Sequence, residues 1–257
     1  MPVIGLGVYK VPKKDTERIV SAALKIGYRL IDTAAFYDNE REVGNAVRKS
    51  GVPREEVLVT TKLHPLRIFG AEQAFHASLK ALSLDYIDLY LIHWPFLRVR
   101  ELWETLEKIY SQKLVKAIGV SNFRIKDLEA LKPAKVIPMV NQVEFHPFLY
   151  RKDLLKYCFS HRIAVEAHSP LTHGKRIKNS TIESIAAGYR KSPAQLLIRW
   201  SIQHGLSVIS KTTHESRLRE NFDVFDFIIS DTDMQILNSL NENYHAAGLS
   251  MLVGDDS

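Results

Sequence analysis

Cysteine is nearly absent from this sequence of 257 residues, because Cys158 is the only one. A disulfide within the chain and a zinc site built on cysteines are therefore excluded. The apolar residues beside Cys158 predict a small, buried or half-buried side chain on the flank of a helix, not a catalytic thiol. No apolar run reaches the roughly 18 residues that span a bilayer, since the longest candidate, residues 86–97, contains Asp88 and His93. We therefore expect no membrane partner.

The sequence also lacks charge concentrated in one segment. Its net charge is +6, but 35 basic residues are interleaved with 29 acidic ones, and no segment has the pattern of a basic arm that binds nucleic acid. A mild positive field suits a phosphate-bearing cofactor instead, and we expect no nucleic-acid partner. The first residues lack the basic and apolar regions of a secretion signal, which predicts a cytoplasmic location.

What the sequence contains is a regular alternation of short β-branched runs and amphipathic stretches. The runs predict eight strands, at residues 3–8, 28–32, 57–61, 86–93, 115–121, 138–144, 163–169 and 207–211. The stretches predict helices at residues 15–26, 39–49, 71–82, 100–110, 126–131, 152–160, 182–203, 214–221 and 231–240. Ser230 is the predicted N-cap of the last helix.

Eight alternations imply parallel strands joined by right-handed crossovers. Eight units favour closure into a (β/α)8 TIM barrel, which typically needs about 250 residues. We therefore predict an α/β protein with one barrel domain over residues 1–257. A doubly wound sheet is the alternative fold, but the turn after the first strand, which begins Gly5-Leu6-Gly7, lacks the third glycine of a dinucleotide-binding fingerprint.

Reactive side chains lie where the predicted strands end, the face at which TIM barrels carry their active sites. The second strand ends at Asp32, with Tyr37 in the loop behind it, and the next two strands end at Lys62 and His93. Hydride addition to a carbonyl creates an alkoxide, and a tyrosine whose pKa is lowered by a lysine ammonium could protonate it. The carboxylate would hold the lysine in place, and the histidine would orient the carbonyl oxygen.

Each of these four residues alone has a structural explanation as well, such as a helix cap, a charge on the barrel rim, a core histidine or loop packing. Their coincidence at neighbouring strand ends favours a shared catalytic role. A metal site with Asp32 and His93 as ligands is an alternative, but HxH and HExxH spacings are absent, so we predict no metal. A serine hydrolase would need GxSxG, which is absent too.

Five segments of the chain, in order, resemble the signatures of the aldo-keto reductase family. They lie at residues 27–44 (GYRLIDTAAFYDNEREVG), 84–95 (LDYIDLYLIHWP), 119–123 (GVSNF), 141–144 (NQVE) and 211–221, which begins with Lys-Thr. The chain is similar in this respect to small microbial and protozoal members, such as the diketogluconate reductases and the prostaglandin F synthase-like enzymes.

The resemblance implies a barrel that reduces aldehydes and ketones with NADPH, without a Rossmann domain. Tyr37 would be the general acid, with Asp32, Lys62 and His93 beside it. Around the nicotinamide, the NADPH/NADP⁺ site would comprise Ser121, Asn122, Gln142 and His168, with Ser169 and Leu171 as further cofactor contacts. Around the 2′-phosphate and the adenine it would comprise Lys211, Thr212, Arg217, Glu220 and Asn221. The substrate pocket is predicted at Tyr9, Phe36, His64 and Trp94.

Departures from the family concern mainly the pocket. The loops at residues 95–100 and 171–179 and the tail after Asn241 are short, so we expect an open pocket. The chain begins almost at its first predicted strand, so we expect the family's bottom hairpin to be missing or truncated. His168 stands where an aromatic residue, usually tyrosine, stacks on the nicotinamide. Because an unperturbed histidine titrates near pH 6.5, protonated His168 would disfavour NADP⁺ more than NADPH below about that pH.

We therefore predict a monomeric enzyme with a small carbonyl substrate. One alternative is a catalytically retired barrel that senses nucleotides as a binding or regulatory subunit, but such a barrel has no chemical need for Tyr37 and Lys62 together. Another is an isomerase or hydrolase of phosphorylated sugars, which would need a pair of acid and base carboxylates.

Overall fold

The computed structural model describes residues 1–64, 70–95 and 98–248. The strands are β1 (Ile4–Gly7), β2 (Leu30–Asp32), β3 (Leu58–Leu63), β4 (Ile87–Ile92), β5 (Val115–Ser121), β6 (Val140–Glu144), β7 (Ala164–His168) and β8 (Ser207–Ser210). The helices are α1 (Lys13–Ile26), α2 (Glu40–Lys49), α3 (Ala71–Leu82), α4 (Val99–Ser111), α5 (Ile125–Glu129), α6 (Lys152–Ser160), α7 (Ser180–Gly188), α8 (Pro193–Gln203), α9 (Glu215–Phe222) and α10 (Asp231–Asn238). Short 3-10 turns lie at Ala35–Tyr37, Arg54–Glu56 and Thr172–Gly174.

The eight strands form one closed parallel barrel in sequence order. Each strand pairs with the one before it, and β8 pairs with β1, where Ile4 lies opposite Val208. The predicted (β/α)8 fold is therefore confirmed, and the doubly wound alternative is wrong. Since parallel strands all end at the same rim, the side chains that follow β2, β3, β4, β5 and β7 are brought to one face.

Helix α1 shows how the amphipathic stretches cover this barrel. Its apolar residues at helical spacing, among them Ile19, Ala23 and Leu24, are buried, because they pack against the strands while the charged residues face solvent. The helix ends at Gly27, whose φ of 122° only glycine adopts readily. The amide of Gly27 donates to the carbonyls of Ala23 and Leu24, so the last turn is capped.

The single helix predicted at residues 182–203 is wrong, because the structure has two helices there. Between them Arg190 has φ of 55°, a left-handed conformation that stops a helix. The second helix starts anew at Ser192, whose hydroxyl accepts from the amide of Gln195, with Pro193 in the first helical position. The other predicted helices and strands agree with the structure within two residues at each end, and Ser230 caps α10 as predicted.

The core fills the barrel and the layer between strands and helices. Trp103, Trp200 and Tyr28 are among its largest fully buried side chains, and the Tyr28 hydroxyl donates to the carbonyl of Leu218 at 2.9 Å, which ties α9 to the barrel. Cys158 is buried on α6, as predicted. Within the described ranges, no helix combines the length and the apolar character that crossing a membrane requires.

The short loops predicted around the pocket are described only in part. Phe96 and Leu97 of the loop after β4, and residues 249–257 of the tail, lie outside the described residues. The tail is tied to the barrel as far as residue 248, because Glu144 accepts from the amides of Ala246 and Ala247 at 2.7 and 3.1 Å. Lys175 also donates to the carbonyl of Ala246 at 2.9 Å.

Candidate active site

The four residues predicted to be catalytic come together at the carboxyl end of the barrel. Asp32 is the last residue of β2, Lys62 lies near the end of β3, and His93 directly follows β4. Tyr37 belongs to the 3-10 turn that follows β2. The three strands are neighbours in the barrel, so their ends place these side chains against one another.

Lys62 is the centre of this group. Its ammonium donates to both carboxylate oxygens of Asp32 at 2.7 Å and to the carbonyl of Thr33 at 2.9 Å. The hydroxyl of Tyr37 lies 3.4 Å from the same nitrogen. The Lys62 side chain is 0% exposed and that of Asp32 is 3% exposed. Burial lowers the pKa of Lys62, but the combined effect of Asp32, Tyr37 and Glu166 outweighs it, so the net pKa is raised and the lysine stays charged.

Tyr37 differs from the expectation in one respect. Its hydroxyl does lie beside the ammonium, and Lys62 does lower its pKa, but burial outweighs this and raises the pKa of Tyr37 to about 12. The prediction that Lys62 brings this pKa below that of free tyrosine is therefore wrong. Desolvation of the phenolate is the reason, since a buried anion loses its water. Tyr37 is thus fully protonated at neutral pH.

His93 lies on the other side of Tyr37, with 5.8 Å between the two ring centroids. Burial, and then the positive charge of Lys62, hold the pKa of His93 well below its usual value, so the imidazole is neutral at physiological pH. Its Nδ1 is buried without a hydrogen-bond partner among the described residues. The site therefore places a neutral imidazole, able to donate one hydrogen bond, next to a protonated phenol.

The turn that carries Tyr37 is braced by a residue that the sequence analysis did not single out. Asn39 accepts from the Thr33 hydroxyl at 2.7 Å and donates to the carbonyl of Val8 at 3.1 Å, which joins the β2 loop to the end of β1. Asp38, directly after Tyr37, has φ of 54°, a left-handed conformation that reverses the chain at this point. The Asp38-Asn39 pair is a turn signal in the sequence.

The residues predicted around the nicotinamide form a connected hydrogen-bond network. The side-chain amide of Asn122 donates to the Ser121 hydroxyl at 2.9 Å and to the carbonyl of His93 at 3.3 Å. Its oxygen therefore accepts from Nε2 of His168, at 2.9 Å. The remaining ring nitrogen of His168 lies 3.0 Å from the Ser169 hydroxyl, which can donate to it. Both ring nitrogens of His168 thus have a hydrogen-bond partner when the imidazole is neutral.

The expectation that His168 has an ordinary pKa is wrong. Burial lowers its pKa to about 4, although the carboxylate of Glu144 acts in the opposite direction. The neutral form also fits the contacts, because Nε2 donates to the Asn122 oxygen while the other ring nitrogen accepts from the Ser169 hydroxyl. The proposed change of His168 charge near pH 6.5 therefore does not occur in this fold. Whether its ring stacks on a nicotinamide stays a prediction.

Gln142 connects this network to the catalytic group. Its amide nitrogen donates to Oδ2 of Asp32 at 2.8 Å and also to Oε1 of Glu166. Glu166 lies on β7, opposite Gln142 in the register, and is fully buried. Glu166 was not among the predicted site residues, because it lies within a strand and not at its end. An acidic residue flanked by Val165 and Ala167 within a strand was the signal that could have revealed it.

The residues predicted around the 2′-phosphate lie elsewhere, at the end of β8 and on α9. Lys211 and Arg217 are exposed, whereas Thr212 and Asn221 are buried. Asn221 donates to the Ser210 hydroxyl at 3.2 Å. Glu220, also on α9, accepts from the Ser192 hydroxyl at 2.5 Å. Two cations therefore lie near a helix N-terminus, where backbone amides favour an anion.

The predicted pocket residues make aromatic contacts, one of them with Tyr37 itself. The Tyr9 ring centroid lies 4.9 Å from that of Tyr37. Phe36, 54% exposed, lies 5.5 Å from His64, and Trp94 stacks beside His93 at 5.8 Å.

The loop after β7 carries Leu171 between residues of unusual backbone conformation. Ser169 has φ of 55°, and Thr172 and His173 have φ of 51° and 52°. Positive φ is strained for any residue with a Cβ and most of all for a β-branched one. Such strain is often found at ligand-binding sites, which agrees with the prediction of a site at this loop. Among the described residues, no group of three or more histidine, cysteine or acidic side chains could hold a metal ion.

Comparison with known proteins places this architecture. The model of the aldo/keto reductase family matches residues 3–242. The 9,11-endoperoxide prostaglandin H2 reductase of Trypanosoma cruzi is 46% identical, over 96% of this chain and 90% of that protein. The glyoxal reductase of Bacillus subtilis is also 46% identical, over 95% of this chain and 90% of that protein.

Solved structures agree. An aldo-keto reductase from a deep-sea metagenome library of the Medee basin superposes with a TM-score of 0.92 at 43% identity, covering 95% of this chain and 93% of that one. The aldose reductase of Schistosoma japonicum gives a TM-score of 0.93 at 33% identity, covering 99% and 93%. The chain therefore belongs to the aldo/keto reductase family, the oxidoreductases of carbonyl compounds.

Proposed function

We propose that this chain reduces aldehydes and ketones to alcohols with NADPH, and that Tyr37 is the general acid. The observation that carries the proposal is the position of Lys62, whose ammonium lies 2.7 Å from Asp32 and 3.4 Å from the Tyr37 hydroxyl. A buried cation beside a phenol stabilises the phenolate that remains after proton transfer. The carboxylate of Asp32 holds this cation in place and balances its charge, so the charged lysine does not need water around it.

In this proposal each of the four residues has one task. The carbonyl oxygen of the substrate is placed between Tyr37 and His93, and neutral His93 donates a hydrogen bond that orients it. When bound, the nicotinamide supplies the hydride that adds to the carbonyl carbon. Tyr37 gives its hydroxyl proton to the alkoxide oxygen, which is a stronger base than a phenolate even when the pKa of the phenol is about 12. Lys62, held by Asp32, stabilises the phenolate.

The donors and acceptors of the site fit a primary carboxamide. The Ser121 hydroxyl accepts from Asn122, so its own hydrogen remains to be donated to a carbonyl oxygen. Both hydrogens of the Gln142 amide are used by carboxylates, so its oxygen remains to accept from an amino group. We propose that Ser121, Asn122 and Gln142 hold the carboxamide, with His168 against the nicotinamide ring and Ser169 and Leu171 as further cofactor contacts.

The cations near α9 fit the phosphate that distinguishes NADPH from NADH. Arg217 offers a planar fork to phosphate oxygens, and Lys211 adds a point charge. We propose that both residues and Thr212 bind the 2′-phosphate, and that Glu220 and Asn221 contact the adenine. Burial and repulsion from Lys10 lower the pKa of Lys211, which an arriving dianion would reverse.

The substrate proposal starts from the pocket. We propose that Tyr9, Phe36, His64 and Trp94 supply the aromatic walls of a pocket for small carbonyl compounds. Because the Bacillus subtilis relative is a glyoxal reductase, glyoxal and methylglyoxal are the first substrates to test. We propose one barrel domain over residues 1–257, acting as a monomer in the cytoplasm, and the elution volume of the purified protein tests the monomer.

The test of the function is NADPH consumption by purified protein, followed by absorbance, with a panel of aldehydes and ketones. We expect consumption that depends on the carbonyl compound and is slower with NADH. The same mixture without carbonyl compound is the control. A protein that binds NADPH tightly but oxidises it with no member of the panel would be a binding subunit, and the proposal would be wrong.

A further inference from the structure

Glu166 is a buried acid that the proposed chemistry does not use. It lies in the middle of β7, opposite Gln142 on one side and Ser207 on the other. Its Oε1 accepts from the Gln142 amide, whereas its Oε2 is buried without a hydrogen-bond partner among the described residues. An unpaired buried oxygen of this kind costs free energy, so its presence calls for a functional explanation.

The contacts of Gln142 determine which way its amide faces. One of its two polar atoms touches Oδ2 of Asp32 and Oε1 of Glu166 together. Asp32 is bound to the ammonium of Lys62, so its carboxylate can only accept. The atom of Gln142 at this point must therefore be the NH2 group, since an amide oxygen there would repel the carboxylate.

The surroundings of Glu166 favour its protonated form beside Asp32. Burial, followed by repulsion from Asp32, raises the pKa of Glu166 to about 8, although the hydrogen bond from Gln142 and the charge of Lys62 lower it. Glu166 thus carries a proton for much of the time at neutral pH. A carboxylic acid still accepts at its carbonyl oxygen, so it can bind the Gln142 NH2 without a second negative charge beside Asp32.

We propose that Glu166 is a positioning residue that, with Asp32, fixes the Gln142 amide so that its oxygen faces the amino group of the nicotinamide carboxamide. The inference rests on the proposed use of a nicotinamide cofactor. Each hydrogen of the Gln142 NH2 then has its own acceptor, and the amide oxygen of Gln142 remains free to accept a hydrogen bond. Without Glu166 one of those hydrogens would lack a partner, and the amide could rotate.

The experiment compares three ligands that differ only where the proposal acts, with dissociation constants measured by calorimetry. NADP⁺ has the carboxamide, its 3-acetylpyridine analogue has a ketone without N–H, and 2′,5′-ADP has no nicotinamide. We expect the wild type to prefer NADP⁺ to the analogue. Glu166→Leu, which removes the acceptor, should weaken NADP⁺ about three- to tenfold, the range of one neutral hydrogen bond, and leave the other two ligands unchanged.

Glu166→Gln is the matched control, because its side-chain oxygen can still accept from Gln142. We expect it to bind NADP⁺ within about twofold of the wild type. If Glu166 served packing alone, the Leu and Gln variants would not differ in a loss of affinity confined to NADP⁺. In the Gln142→Ala background, Glu166→Leu should cause no further loss of NADP⁺ affinity.

Other outcomes overturn the inference. An equal loss for all three ligands would show a distorted barrel, and no loss for any would show that Gln142 does not need Glu166. If Glu166→Leu does not fold, the wild type still decides, because equal affinity for NADP⁺ and the acetylpyridine analogue contradicts an acceptor at Gln142. If the wild type binds neither NADP⁺ nor 2′,5′-ADP, the proposed function itself fails.

Discussion

Two groups of cationic residues in this protein are held in opposite ways. Lys62 has no exposed surface, and its partners Asp32 and Thr33 belong to the chain itself. Lys211 and Arg217 are exposed near the start of α9, where water and salt screen them. The first group is fixed by folding before any ligand arrives, whereas the proposed main partner of the second is a bound phosphate. Substitutions in the two regions should therefore affect different quantities.

The largest effect is expected from the phenol that Lys62 faces. Tyr37→Phe should lower turnover by about 10²- to 10⁴-fold, the usual contribution of general acid catalysis, while cofactor binding and the fold are retained. Steady-state rates and cofactor titration measure the two properties. Tyr110→Phe is the control, because it removes a phenol hydroxyl from a half-buried tyrosine of α4, outside the site, and should leave turnover nearly unchanged. A Tyr37→Phe variant with half the wild-type kcat would exclude Tyr37 from the mechanism.

Next comes the stability of the buried pair. Lys62→Met leaves Asp32 buried without its cation, which costs about 3–5 kcal/mol, measured by urea unfolding at neutral pH. Lys49→Met is the exposed counterpart, since Lys49 lies 2.6 Å from Glu17 with 69% of its side chain exposed, and we expect little change. Comparable losses in the two variants would mean that the burial of Lys62 adds nothing.

The exposed group should act on cofactor choice alone. Arg217→Ala should weaken NADPH binding by about 1.5–3 kcal/mol, the range for hydrogen bonds to charged groups, and leave NADH binding and stability nearly unchanged. The loss should shrink at high salt. Arg219→Ala removes another exposed arginine of α9 and is the control. Equal losses for NADPH and NADH would show that Arg217 does not recognise the phosphate.

The strand ends could be read from the sequence because periodicity reports burial. The alternation of apolar runs placed Asp32, Lys62 and His93 at the ends of neighbouring strands, where the structure has them. The break within residues 182–203 was missed because apolar periodicity continues through it, whereas the Ser192-Pro193 start signal is local. A helix boundary of this kind is set by a cap and not by hydrophobicity.

The electrostatics of the site could not be read from the sequence. That Lys62 faces Tyr37 follows from strand order, but the pKa of Tyr37 depends on how much water the fold removes, and burial dominates. The same holds for His168, whose depressed pKa reflects burial. The partner of Glu166 could not be read for a different reason, because Gln142 belongs to the adjacent strand and only the register pairs them.

A depressed histidine pKa makes the folded state sensitive to acid. The unfolded chain binds a proton at His168 near pH 6.5, whereas the folded chain does so only near pH 4. The unfolded state thus holds more protons between these values, and stability falls as the pH drops from 6.5 to 4. We expect His168→Gln, which can still donate to Asn122, to remove about 2 kcal/mol of this loss in urea unfolding at pH 7 and 4.5. Identical slopes in both proteins would contradict the low pKa.

The same pKa predicts no effect of His168 charge on cofactor preference at ordinary pH. With a pKa of about 4, roughly 3% of His168 is protonated at pH 5.5 and far less at pH 8. The ratio of the NADP⁺ and NADPH dissociation constants should therefore follow the same course from pH 5.5 to 8 in the wild type and in His168→Tyr. Fluorescence titration with both cofactors measures it. A ratio that rises on acidification only in the wild type would show that His168 gains its proton in this pH range, and the low pKa of His168 would be wrong for the cofactor-bound protein.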